Sequence, residues 1–245
     1  KRNRSHFYKV VNGAQEYEFP GVTGILSIIG GDKTQKLMGW AKKEALASVS
    51  RELLSYGDKA IIMEPDTVTG IIERAKKKPK ELLDAAADIG TRLHDAADRW
   101  IKGQEIGELA SDLENPFLAF KDWVKSSGIN ILMGDTAVAS IDEKYGGKFD
   151  FIFEKGGLLG IGDFKTSSGI QKEYALQVAA YGEASTETFG EEFDLGLIVR
   201  FDKLMPIFET KWVKSMYHSF LGFLAAKKLK ESLENDVYIE EKGEK

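Results

Sequence analysis

The chain has no cysteine at all. That absence excludes disulfides, thiolate-held zinc and cysteine-ligated iron–sulfur clusters. Long apolar runs are missing too: none approaches the ~18–20 residues that a membrane span requires. No internal repeat and no low-complexity linker interrupts the sequence, so neither a stacked-repeat array nor a tethered pair of domains is expected. A dominant charge is lacking as well, with 34 Lys and Arg against 39 Asp and Glu and a net charge of −5. This balance argues mildly against a protein coated in nucleic acid, but it leaves room for a local basic path beside an acidic site. The sequence opens on Lys-Arg-Asn-Arg with no hydrophobic run behind it, so no secretory signal is expected.

What is present suits a folded α/β protein. At 245 residues and 42% hydrophobic, the chain can bury a substantial core, as one large domain or as a core with an insertion. Strand patterns flank Asn12-Gly13, a two-residue hairpin signal. Helical periodicity follows at Thr23–Ile29, Lys33–Tyr56, Asp66–Lys78, Glu81–Lys102 and Pro116–Ser127, with Pro79 separating the third from the fourth. An apolar stripe of Leu82, Leu83, Ala86, Ile89, Leu93, Ala97 and Trp100 marks the Glu81–Lys102 helix. Strands are predicted at Asn130–Ser140, Gly147–Glu154, Leu158–Thr166, Phe193–Phe201 and Ile207–Val213, with helices at Gln171–Glu187 and Met216–Leu233. The strands from Asn130 to Thr166 can meander, whereas the helix at Gln171–Glu187 bridges to the next strand.

The chemistry concentrates around Asp163, Phe164 and Lys165, thirteen residues after Asp150. Alternation along a strand points Asp163 and Lys165 one way and turns Phe164 into the core. In the preceding strand, Phe149, Phe151 and Phe153 are predicted on one face, with Asp150 and Ile152 on the other. Two carboxylates and an ammonium then meet at one sheet edge. Carboxylate oxygens suit Mg²⁺, and a lysine beside the metal can handle an attacking water, so the pattern suggests metal-dependent phosphodiester hydrolysis. An Asp-x-Lys triplet alone is common by chance. Its company is less so: Gln177 and Tyr181 stand at i, i+4 on the following helix, and Gly90, His94 and Asp98 share one face of an upstream helix.

This ordered set resembles the RecB-like nucleases of the PD-(D/E)XK superfamily, and within them the phage and mitochondrial genome maintenance exonuclease branch. The family pattern runs Gly-x-x-x-His-x-x-x-Glu, Glu, Gly-x-x-Asp, Asp/Glu-x-Lys, Gln-x-x-x-Tyr. Here it is matched by Gly90, His94 and Asp98, then Asp135, then Gly147 and Asp150, then Asp163 and Lys165, then Gln177 and Tyr181. The opening Phe19–Leu26 and Trp40 are similar to that branch as well, and the resemblance spans roughly residues 17–230. Asp98 and Asp135 stand where the family usually has Glu, which keeps the charge and shortens the reach. The absence of cysteine sets the chain apart from relatives that staple their termini with an iron–sulfur cluster.

The resemblance implies an α/β fold with a mixed central sheet flanked by helices, preceded by an N-terminal helical insertion. It divides the chain into a hairpin and helical roof at 1–80, a nuclease core at 81–233 and an acidic tail at 234–245. One or two Mg²⁺ or Mn²⁺ ions are implied on Asp150, Asp163, His94 and the Phe164 carbonyl. Lys165 would orient or deprotonate the attacking water, or stabilise charge on the phosphorane. Gln177 and Tyr181 would organise the site or touch the substrate backbone. Asp98 and Asp135 are either outer supports of the metal site or exposed acids. Thr166 and Ser167 are candidates for phosphate, or ordinary loop residues.

Basic residues exceed acidic ones over 33–80, so Lys76, Lys77, Lys78 and Lys80 are either phosphate contacts or a solvated helix end. The expected partner is DNA, single-stranded or with free ends, and no membrane. The expected setting is the cytoplasm of a bacterium or phage-infected cell, with an organelle as the alternative. A double-strand-end or structure-specific nuclease is the second reading. A DNA-binding protein with a dead nuclease core is the third, disfavoured because Asp150, Asp163 and Lys165 occur together.

Overall fold

The computed structural model describes residues 7–13, 15–57 and 63–235. At its centre is a five-stranded mixed sheet in the order β3-β6-β7-β8-β9. Its strands are β3 (Asn130–Met133), β6 (Phe151–Lys155), β7 (Leu158–Lys165), β8 (Leu195–Phe201) and β9 (Phe208–Trp212). All neighbours are antiparallel except β7 and β8, which run parallel. Parallel neighbours need a crossover, and helix α5 (Glu173–Phe189) supplies it.

Each face of the sheet is covered by residues that the alternation of the strands selects. On one face Phe151, Phe164 and Phe201 meet Phe120 and Trp123 of α4 (Ser111–Ser127), with ring centroids 5.3–6.2 Å apart. On the other, Ile152, Ile161 and Ile198 share a core with Val178 and Ala180 of α5 and Phe223 of α6 (Met216–Glu234). Ile161, Asp163 and Lys165 alternate with Phe164 along β7, so the Asp-x-Lys pair faces the α5 side.

Two strands expected to run unbroken are each cut in two. The expected strand Asn130–Ser140 becomes β3 and β4 (Thr136–Ser140), parted at Gly134 and Asp135. The expected strand Gly147–Glu154 becomes β5 (Tyr145–Phe149) and β6, parted at Asp150. β4 and β5 form their own two-stranded antiparallel ribbon, with Thr136 opposite Phe149, while β3 and β6 stay in the central sheet across a bulge near Met133. The break corrects the expected facing: Phe149 joins the core beneath α5, and Phe151 packs on Trp123. Period-2 alternation cannot survive a residue at which the chain changes sheets.

The N-terminal hairpin pairs β1 (Phe7–Asn12) with β2 (Gln15–Pro20), Asn12 lying opposite Gln15. The left-handed backbone falls on Gly13 (φ +62), the glycine of the expected signal, while Asn12 belongs to the strand. Helix α1 (Val22–Leu26) follows and buries Val22, Ile25 and Leu26 in the core beside α5 and α6.

The helical region differs from expectation at Pro79. One continuous helix, α3 (Pro65–Ile101), replaces the two expected on either side of it. Pro79 forfeits a ladder hydrogen bond and costs about 3 kcal/mol in an average helix. Here its ring is buried, in phase with Ile71 and Ala75 before it and with half-buried Leu82, Ala86 and Ile89 after it. A burial stripe that crosses the proline without losing register favours one helix over two. Leu83 lies off the stripe and is exposed. The expected division at residue 80 therefore falls inside a helix. Residues up to Ile29 with those from Arg92 onward make one compact unit, and Gly30–Thr91 makes another, built from α2 (Gly31–Leu54) and the first part of α3. The hairpin belongs to the unit that carries the sheet. Of the acidic tail, residues 236–245 lie outside the described residues.

Candidate active site

The junction between β5 and β6 places Asp150 beside the end of β7. Its Oδ2 accepts the backbone N–H of Phe164 (2.6 Å), and its Oδ1 meets His94 Nδ1 of α3 (2.8 Å). Asp150 N–H also donates to Gly162 O (3.3 Å), which ties the bend to β7. On β7, Asp163 is 3% exposed. Gln177 Nε2 of α5 donates to its Oδ1 (3.3 Å) and lies 2.7 Å from the Tyr181 hydroxyl. The Lys165 ammonium ion-pairs with Asp163 Oδ2 and sits 4.8 Å from the centre of the Tyr174 ring. The structure thus brings together His94, Asp150, Asp163, Phe164, Lys165, Gln177 and Tyr181. Sequence reasoning missed Tyr174, although Tyr174, Gln177 and Tyr181 stand at i, i+3, i+7 and so share a helical face.

Burial dominates the electrostatics. It pushes the Asp163 carboxyl up to about 6, with the nearby Asp150 charge adding to the rise and Lys165 opposing it. Burial disfavours the Lys165 ammonium, but Asp163 and Asp150 more than offset it, and the pKa of Lys165 is raised. Asp150 is desolvated too, yet the His94 imidazole, Lys165 and the Phe164 N–H hold its carboxyl below the usual range. His94 responds in the opposite sense: burial works against its charge, and Asp150 raises its pKa nonetheless.

Among the described residues, no three His, Asp or Glu side chains converge as a preformed metal cage. The donor chemistry nevertheless suits a hard divalent cation. Two carboxylates lie close enough for Asp163 to feel the Asp150 charge, and the buried Asp163 Oδ2 is met by the Lys165 ammonium. Burying two carboxylates beside one ammonium leaves negative charge in excess, which a divalent cation would balance. Asp150, Asp163 and the Phe164 carbonyl are the residues that fit.

Asp98 and Asp135 lie at the other strand junction. Asp98 Oδ1 accepts the Asp135 N–H (2.8 Å), and its Oδ2 pairs with Lys102 (2.7 Å). Asp135 in turn pairs with Lys148. A β-carbon at position 134 would overlap the Asp98 carboxylate, which accounts for the glycine there. His94 and Asp98, one turn apart on α3, therefore each grip one of the two strands at the point where it bends.

Gly147 is explained in the same way. A β-carbon there would overlap the Tyr181 ring and lie 3.2 Å from Val22 Cγ2. Gly147→Ala is expected to displace Tyr181, destabilise the fold by about 1–3 kcal/mol and loosen the Gln177–Tyr181 contact. Thermal melting checks the first effect. A melting curve unchanged from the parent protein would show that the ring has room to move.

The remaining predicted residues are placed as follows. Ser167 is engaged within its loop: its Oγ donates to Gly169 O (2.9 Å) and accepts from the Tyr174 hydroxyl (3.2 Å). Thr166 is half-buried at the end of β7. Lys76, Lys78 and Lys80 pair along α3 with Glu73, Glu81 and Asp84, and Lys77 is exposed beside them. All four lysines belong to the Gly30–Thr91 unit. Arg92, two residues before His94, holds Asp112 through two hydrogen bonds (2.6 and 3.0 Å). No helix among the described residues is long and apolar enough to cross a membrane.

No protein-family model matches the chain, and no curated protein matches its sequence. Among solved structures, it is similar to the crystal structure of SSO0001, at 14% identity over 85% of this chain and 89% of that one, with a TM-score of 0.36. It is also similar to an alkaline exonuclease, LHK-Exo from Laribacter hongkongensis, at 12% identity over 60% of this chain and 88% of that one, with a TM-score of 0.30. Likeness at this distance carries no argument about chemistry, which rests on the residues themselves.

Proposed function

We propose that the protein is a PD-(D/E)XK-type nuclease that hydrolyses DNA phosphodiester bonds with Mg²⁺ or Mn²⁺, acting as an exonuclease on single strands or free ends. The observation that carries this reading is the buried Asp163. It is paired with Lys165 on its own strand, bonded to Gln177 from α5, and close enough to Asp150 to feel its charge. Burying two acids together costs stability, and a protein keeps such an arrangement where it serves a reaction.

Asp150, Asp163 and the Phe164 carbonyl would hold the divalent ion, which when bound would supply charge neutralisation for the phosphoryl group and a more acidic water. Lys165, held charged by its two carboxylates, donates to the attacking water or to the phosphoryl oxygens that gain charge. Gln177 keeps Asp163 aimed by donating to Oδ1, while Lys165 meets Oδ2. Tyr181 fixes Gln177 in turn. His94 steadies Asp150 through Nδ1 and brings an imidazole to the same place. Lys76, Lys77, Lys78 and Lys80 serve the substrate's phosphates in this reading, as counter-charges outside the reaction centre.

Digestion of end-labelled linear and circular DNA, single- and double-stranded, with Mg²⁺ tests the proposal. Linear strands are expected to shorten and circles to survive. Equal cleavage of circles overturns the exonuclease reading, and loss of label only from duplex ends favours the double-strand-end alternative. No cleavage of any DNA with either Mg²⁺ or Mn²⁺ removes the nuclease reading altogether.

A further inference from the structure

The parallel strands β7 and β8 end at the same edge of the sheet, with Lys165 level with Arg200. In α/β sheets the carboxyl ends of parallel strands are where ligands gather. From this edge a chain of hydrogen bonds leads to the β8–β9 turn. Arg200 Nε donates to Ser167 O (2.6 Å), just beyond Lys165, and Arg200 Nη2 pairs with Asp202 (2.8 Å). Asp202 Oδ1 accepts the N–H groups of Leu204 (3.0 Å) and Met205 (3.2 Å). Asp202 N–H donates to Ile207 O (3.0 Å), and Asn115 Nδ2 of α4 holds Leu204 O (2.7 Å). The backbone of the turn is therefore pinned to the end of β8 through Asp202 and to α4 through Asn115, and Arg200 links β8 to the loop that follows Lys165.

Its side chains contradict its position. Turns of this length are ordinarily polar, yet Leu204 is 79% exposed, Met205 57% and Ile207 54%. Ordering a turn with so many hydrogen bonds in order to hold three apolar side chains in water gains nothing for the fold. It makes sense if something apolar comes to rest there. A substrate whose phosphate lies at Lys165 extends a base from the same nucleotide or its neighbour. A nucleobase has an apolar face, and it bears no charge that the tip would have to match.

Resting on the nuclease reading above, we propose that Leu204, Met205 and Ile207 form a base platform at the mouth of the site, on which an unpaired nucleobase of the substrate end lies. The pinned turn makes the platform rigid, so docking a base costs little ordering. Because the platform takes only bases that are out of a duplex, it biases the enzyme towards single strands or frayed ends without reading their sequence.

The test compares a short single-stranded DNA with an abasic strand of the same length, which keeps every phosphate and loses every base. Binding to the full-length protein is measured in Ca²⁺. The wild-type protein is expected to prefer the base-bearing strand by about fivefold or more, the size set by the apolar area three such side chains can cover. In Leu204→Ser/Met205→Ser/Ile207→Ser the preference should shrink towards one, with the affinity for the abasic strand little changed. Melting curves are expected to coincide, since the replaced side chains are exposed and the turn's hydrogen bonds come from the backbone. An undiminished preference in a folded triple variant overturns the platform. So does a triple variant that differs from wild type only in self-association on sedimentation, which would make the tip a contact between copies. Cleavage of the base-bearing strand in Mg²⁺ is followed in parallel: its absence in wild type strikes the nuclease reading, while the binding ratio judges the platform separately.

Discussion

Alanine at Asp163 or at Lys165 is expected to lower Mg²⁺-dependent cleavage by on the order of 10²–10³-fold or more, with the fold retained. Neither side chain contributes apolar packing: Asp163 presents its carboxylate to Gln177 and Lys165, and Lys165 lies along the Tyr174 ring. The core around them, from Ile161 and Phe164 to Val178, is untouched by either change. Gln177→Ala should cost less, because it only aims a carboxylate that stays in place. Circular dichroism verifies the fold, and cleavage of a saturating short strand reads the rate. A folded Asp163→Ala protein that cleaves at a rate comparable to wild type would remove the site from the reaction.

Most of this site was legible because its residues come from short-range patterns. Alternation alone sent Asp163 and Lys165 to one face and Phe164 to the other, and the structure places Phe164 among Phe120, Trp123, Phe151 and Phe201. Helical spacing alone put Gln177 beside Tyr181, and His94 one turn from Asp98. The breaks at Gly134–Asp135 and at Asp150 were hidden, because a change of sheet is decided by partners distant in sequence. Nothing near Asp150 announces that Phe149 will pack under α5 while Phe151 turns to α4. The signal that existed was the glycines: Gly134 and Gly147 stand where Asp98 and Tyr181 leave no room for a β-carbon.

Pro79 misled for the opposite reason. Its local chemistry favours a boundary, and tertiary burial overrides it: the stripe Ile71, Ala75, Pro79, Leu82 keeps its phase across the ring. The role of Asp98 was equally invisible. The sequence leaves it as an outer support of the metal site or an exposed acid, and the 2.8 Å bond from Asp135 N–H shows it as a brace on the bend. Exposure of Leu204, Met205 and Ile207 is likewise a three-dimensional fact, since the sequence puts Leu204 and Met205 between two expected strands and Ile207 at the start of the second.

Asp163→Asn is expected to stabilise the protein while it destroys the activity. The folded carboxyl is pushed up to about 6, against ~3.9 in an unfolded chain. Between those values the folded protein keeps a proton that the unfolded chain has released, so this group lowers stability as pH rises from about 4 to about 6, and the loss persists above. A shift of that size amounts to about 3 kcal/mol. Asparagine retains the shape and the Oδ1 that accepts from Gln177, and it carries no charge at any pH. With Oδ1 accepting from Gln177, its Nδ2 turns to the Lys165 ammonium, donor facing donor, so the gain is smaller than the shift alone would give. In EDTA at pH 8 the variant should still melt above wild type, by about 2–5 °C for a chain of this size. The two curves should converge below about pH 4, where wild-type Asp163 is protonated both folded and unfolded. Adding Mg²⁺ should raise the wild-type melting temperature and leave the variant nearly unmoved, because the cation relieves a charge that the variant no longer has. A variant no more stable than wild type at pH 8 would mean that the buried carboxylate is not strained, and that Lys165 alone satisfies it.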